Sequence, residues 1–187
     1  ADQIEVCSDL RFDGLTPNSE LVEKIRDNIT VPIKVMIRPR GGGFCYSLSD
    51  LKEIQNQINV FKTIGIKHIV CGILKKNNRV NIDSLKKISD ISHPMKITFH
   101  KAIDRSIDFF NDIEALVRTN RLDSLLTSGQ ANSAAEGSET IKKVVNIFGG
   151  DIKVIAAGKI TSTNLINIHE KIGGKYYHGR KILGNLN

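Results

Sequence analysis

The chain has 187 residues, 40% hydrophobic and 25% charged, which suits one globular domain with a sizeable core. No apolar run approaches the ~20 residues of a membrane span, so no membrane partner is expected. The net charge of +7 comes from scattered lysines such as Lys52, Lys62, Lys142 and Lys143. With seven Phe and three Tyr there is no aromatic-plus-basic stacking motif, which argues against nucleic acid. Three widely spaced cysteines (Cys7, Cys45, Cys71) without a Cys-x-x-Cys argue against a disulfide scaffold and for a reducing, cytoplasmic setting.

In chain order, strand-like apolar runs occur at Gln3–Cys7, Ile33–Arg38, His68–Ile73, Met95–His100, Ser124–Gly129, Lys153–Gly158 and Lys175–Gly179. Their starts lie roughly 22 to 35 residues apart, the length of one βα unit. Helical stripes fall between them. Thr16-Pro17 reads as an N-cap with proline at the first helical position, before Leu21, Val22, Ile25 and Ile29. Ser47-x-x-Asp50 and Ser133-x-x-Glu136 read as capping boxes, Ser106 precedes Ile107 and Phe110, and Thr161 opens a last helix.

Strict alternation of strand and helix means a parallel sheet with helices outside it. Seven strands are visible, and a closed (β/α)8 barrel needs eight. Polar residues end nearly every strand, which favours a TIM-type barrel over an open sheet with one switch point. No nucleotide-binding glycine motif is present. The whole of residues 1–187 is read as a single barrel domain.

In such a barrel the chemistry gathers at the C-terminal strand ends. Glu5 and Cys7 end the first run. Arg38 and Arg40 follow the second, with Pro39 between them and Gly41-Gly42-Gly43 beyond. Two residues apart on an extended strand, these arginines would converge on an anion or on a buried carboxylate. Thr98, His100 and Asp104 lie at the fourth end. Ser128-Gly129 and Gly158 precede helices whose free N–H groups could bind phosphate. Glu5, Arg38 and His100 suit acid–base work on a small anionic molecule, with Asp104 orienting His100. An internal ion-pair network filling the mouth is the alternative. Cys7 is a soft thiol that could bind Cu(I) or act as a nucleophile, or simply be buried. Cys71 reads as core, and Cys45 as no ligand. His68, His93 and His169 read as solvated, and no spacing resembles a zinc site.

These residues also fall into longer motifs: Ala1-Asp2-x-Ile4-Glu5-x-Cys7-Ser8, Gly14-Leu15-Thr16-Pro17, Met36-Ile37-Arg38-Pro39-Arg40-Gly41-Gly42, Thr98-Phe99-His100, Leu126-Thr127-Ser128-Gly129 and Glu136-Gly137. In that order they resemble the CutC family of copper homeostasis proteins. The resemblance implies a (β/α)8 barrel and one further βα unit before Ala1, so the first unit is expected to be missing from this chain. It implies cytosolic copper handling with Cys7 as a Cu(I) ligand and a partner cysteine on that first strand. The chain departs from the family at Lys101, where Arg is usual, and at Ala157-Gly158-Lys159, which replaces a glycine-rich turn. Lys159 would be strained there if its φ is positive. Arg180 follows His178 sooner than in the family. Pairing through helices or loops, common in barrels, allows a homodimer.

Overall fold

The computed structural model describes residues 1–184. Seven strands form one parallel sheet in the order of the chain. They are β1 (Ile4–Val6), β2 (Ile33–Met36), β3 (His68–Cys71), β4 (Lys96–Phe99), β5 (Ser124–Thr127), β6 (Lys153–Ala157) and β7 (Tyr176–His178). The crossover helices are α1 (Ser19–Asn28), α2 (Leu48–Thr63), α3 (Ile82–Ser92), α4 (Phe109–Arg118), α5 (Ser138–Phe148) and α6 (Leu165–Ile172). All seven expected strands are present, each one or two residues shorter than its apolar run.

Alternation along the strands sorts the side chains into two layers. Val35, Ile69, Cys71, Ile97, Phe99, Leu125 and Val154 join the main core with Ile54, Ile58, Leu85, Ile113 and Val144 from the helices. A second cluster packs Ala156, Ile160, Ile141, Ile168 and Ile172. The opposite, concave face carries Lys34, His68, Thr98 and Ser124. The amine of Lys34 on β2 reaches the Thr98 hydroxyl on β4, 3.2 Å away, across the intervening strand. Glu5 on β1 and His178 on β7 approach to 3.9 Å. The sheet is therefore strongly curled, a partial barrel whose first and last strands face each other without pairing among the described residues.

Several helix starts differ from expectation. Ser47 and Asp50 do form a reciprocal capping box on α2. The first helix, however, is capped by Asn18, whose side chain accepts the Glu20 amide. Thr16 is engaged elsewhere: its hydroxyl accepts the Arg38 amide and donates to Gln57. Ser133 accepts the Glu136 amide only within a turn, and α5 begins at Ser138. Ser106 accepts the Asp108 amide just before α4 and donates to the buried Asp112. Lys159 has φ of 55°, so the strained left-handed conformation that the sequence leaves conditional is the one adopted.

Candidate functional site at the C-terminal strand ends

Arg38 leaves β2 and turns into the mouth of the curl, where it is 6% exposed. Its two terminal nitrogens donate to the carbonyls of Phe12, Gly14 and Gly42. Among the described residues no carboxylate lies within ion-pair distance of it, and its Nε–H is buried without a partner. The guanidinium lies over the Phe44 ring, 4.9 Å from its centroid. Arg40 behaves differently. It pairs with Asp50 at 3.0 Å and donates to the carbonyls of Gly41, Gly43 and Cys45 while stacking on Tyr46. The two arginines do not converge as the i, i+2 spacing suggested, because β2 ends at Met36 and regular alternation stops there. Arg40 found the carboxylate partner; Arg38 did not. The Ser47 amide and then Arg40 hold the Asp50 carboxyl below the usual range.

His100 is 5% exposed. Its Nδ1 accepts the Ala102 amide at 3.1 Å, so the ring proton sits on Nε2, which is buried and unpaired. Burial, and then the Arg38 charge, pushes its pKa down to about 3. The ring lies 4.9 Å from Phe44, centroid to centroid. It can lean there because β3 is followed by Gly72: a Cβ at that position would stand 2.4 Å from Nδ1. The hydroxyl of Tyr46 is likewise buried and unpaired.

Asp104 does not orient His100. It sits on a 3₁₀ turn (Lys101–Arg105) that carries it to the end of β5. There its carboxylate accepts from the Thr127 hydroxyl, the Ser128 amide and hydroxyl (2.9 Å each), and the Gln130 amide at 3.1 Å. The Ser128 and Gln130 N–H groups thus already bind an anion supplied by the chain itself, and the Gly129 N–H is taken by Thr127. Nor do helices follow directly: loops separate Gly129 from α5 and Gly158 from α6. Gly158, with φ of 115°, accepts the Ala134 amide on its carbonyl.

Cys7 is half-buried. Burial, and then the neighbouring Glu5 carboxylate, raises its thiol pKa, partly offset by Arg180. Its sulfur and the Met36 methyl group both lie within 4 Å of where a Gly14 Cβ would stand. Cys71 is core, its thiol pushed up to about 12 by burial, and Cys45 is exposed. His93 and His169 are exposed as expected, but His68 is not solvated. As the first residue of β3 it faces the concave side, 7% exposed, with Nε2 2.8 Å from the Thr98 hydroxyl. Thr98 also meets Ser124 at 2.7 Å. This buried Lys34–Thr98–His68–Ser124 network went unnoticed in the sequence, although Lys34, Met36 and Arg38 share a period of two. Among the described residues no group of three His, Cys, Asp or Glu side chains is arranged to hold a metal ion.

A family model described as "CutC family" matches residues 1–183. The chain belongs to the CutC family. The human "Copper homeostasis protein cutC homolog" is 34% identical over 178 residues, covering 95% of this chain and 65% of that relative. This CutC-family chain therefore spans just under two thirds of the human protein's length. The crystal structure of the copper homeostasis protein CutC from Streptococcus agalactiae superposes with a TM-score of 0.92 at 26% identity, covering 97% of this chain and 89% of that one. A dihydrodipicolinate synthase from Bacillus anthracis, 14% identical with a TM-score of 0.58, covers 88% of this chain and 53% of its own and shares the fold alone. The parallel α/β architecture with a curled, TIM-like sheet is common to them. No helix among the described residues is long and apolar enough to cross a membrane.

Proposed function

We propose that this chain handles Cu(I) as cargo in copper homeostasis, with Cys7 as the contact. Support comes from the family and from one observation: a half-buried thiol at the end of β1 with the Met36 methyl group close to the same point. Thiolate and thioether are the soft donors that select Cu(I). The reading includes an eighth strand between the unpaired edges of β1 and β7, closing a (β/α)8 barrel and supplying a second thiolate. Cytoplasmic residence agrees with three free cysteines. The test is an anaerobic Cu(I) competition titration on the full-length protein and its Cys7→Ser variant. Tight one-to-one binding lost in the variant supports the reading; weak binding, or binding indifferent to the substitution, overturns it.

A second reading, an enzyme acting on a small anionic molecule, is favoured by Arg38, a buried guanidinium with no carboxylate partner among the described residues. Arg38 would hold the anion and Glu5 would move the proton. Arg38→Ala should then abolish anion binding while Cys7→Ser leaves it intact.

A further inference from the structure

We propose that the Nε–H of Arg38 and the Nε2–H of His100 act together as donors to the carboxylate of a small monoanionic molecule, which displaces the Phe44 ring that now covers them. The proposal deepens the anion reading and rests on it. Both groups are buried donors without partners, in a fold that satisfies nearly all its others. The side chains that carry them pack on one ring: the Arg38 guanidinium carbon and the His100 ring centroid each lie 4.9 Å from the Phe44 centroid. An aromatic face is a weak acceptor for N–H groups and a poor replacement for a charged oxygen.

The donor count sets the ligand class. Three of the five N–H donors of Arg38 are taken by the carbonyls of Phe12, Gly14 and Gly42, which leaves the Nε–H and one N–H on Nη2. The nitrogens that are buried with no partner at all are Nε of Arg38 and Nε2 of His100. The Ala102 amide on Nδ1 makes His100 a donor at Nε2 and not a base. The charge facing the ligand is that of one guanidinium, which matches a monoanion and leaves a phosphate dianion under-coordinated. Gly72 is part of the device, since any side chain there would push the imidazole off the ring and off the ligand. The backbone of Phe44 is tied down by its carbonyl to the Leu74 amide at 2.9 Å, so its side chain, and not the glycine loop, must move.

The probe is acetate, titrated against chloride at constant ionic strength and compared with inorganic phosphate. Proton–nitrogen NMR follows the Arg38 Nε–H and the His100 Nε2–H in the unsubstituted protein, which needs no variant to fold. The expected result is that both signals move together with acetate and neither with phosphate. Phe44→Ala should tighten acetate several-fold. Arg38→Lys, which keeps the charge, and His100→Phe should each weaken it at least tenfold, while His100→Gln retains a donor and part of the affinity. Acetate binding lost in Arg38→Ala but unchanged in His100→Phe would leave the anion reading standing and overturn the donor pair. Phosphate preferred over acetate overturns the carboxylate class. Neither signal moving, in the unsubstituted protein and in Phe44→Ala alike, overturns the proposal.

Discussion

Removing the Asp104 carboxylate separates a structural role from a catalytic one. Its oxygens accept from two hydroxyls and from the amides of Ser128 and Gln130. In Asp104→Ala the exposed Gln130 amide turns to water and the Ser128 hydroxyl keeps the Ala131 carbonyl. The Ser128 amide and the Thr127 hydroxyl, both in fully buried residues, lose their acceptor. Two stranded buried donors amount to about 2–4 kcal/mol. For a chain of this size that is a fall in Tm of roughly 4–16 °C. Asp104→Asn keeps one acceptor oxygen but turns an NH2 toward two donors, and should cost roughly half as much. Urea denaturation measures both. The His100 tautomer, read by nitrogen NMR, should stay unchanged because Asp104 does not touch the ring. Asp104→Ala within ~0.5 kcal/mol of the unsubstituted protein, or a switched tautomer, would refute the reasoning.

Three further outcomes are expected. Gly72→Ala places a Cβ against the buried His100 ring and 2.9 Å from the Ala102 Cβ, and should destabilise by about 1–3 kcal/mol while releasing the Nδ1 bond to Ala102; unchanged stability with an unchanged ring shift would contradict this. His68, with its pKa pushed down to about 4 by burial and then by Lys34, and His100, down to about 3, are neutral when folded and charged when unfolded below pH ~6.5. Their stabilisation is complete above that pH and is lost on acidification towards pH 4 and 3, about 3 kcal/mol between pH 6.5 and 5. Denaturation midpoints should follow that slope and His68→Gln should roughly halve it; a flat profile would count against it. Lys159, at φ of 55°, should accept glycine at no cost or with a gain of ~0.5 kcal/mol, whereas Lys159→Val should lose more than ~1 kcal/mol.

The strands were legible because β-branched apolar runs are local signals, and all seven appear where those runs lie. Local reading failed where a hydroxyl had a distant suitor. Thr16 looked like a cap, but the Arg38 amide and Gln57 claim its oxygen, leaving the cap to Asn18. Asp104 looked like a partner for His100 four residues away, but the intervening 3₁₀ turn delivers it to β5, more than twenty residues on. His68 looked solvated because it stands at a strand's first position, where only the curl of the sheet reveals that it faces Thr98 and Ser124. In a parallel sheet, neighbours across the ladder are a whole βα unit apart in sequence. The residue types at the mouth were therefore readable, and their pairings were not.

Those pairings make the two functional readings separable by pH alone. The Cys7 thiol is held above its ordinary value by burial and by Glu5, so Cu(I) must displace a proton there. Apparent affinity through this one thiolate should then rise about tenfold per pH unit throughout the range from 6 to 9. Acetate at Arg38 should show no such slope over the same range, since the guanidinium does not titrate and His100 is already neutral. Replacing Glu5 by Gln removes a negative neighbour of the thiol and should strengthen Cu(I) binding near neutrality. The same change should leave acetate binding in place. Cu(I) affinity that is flat between pH 6 and 9 would mean that Cys7 is not the group carrying the metal, whatever the fold and the family suggest.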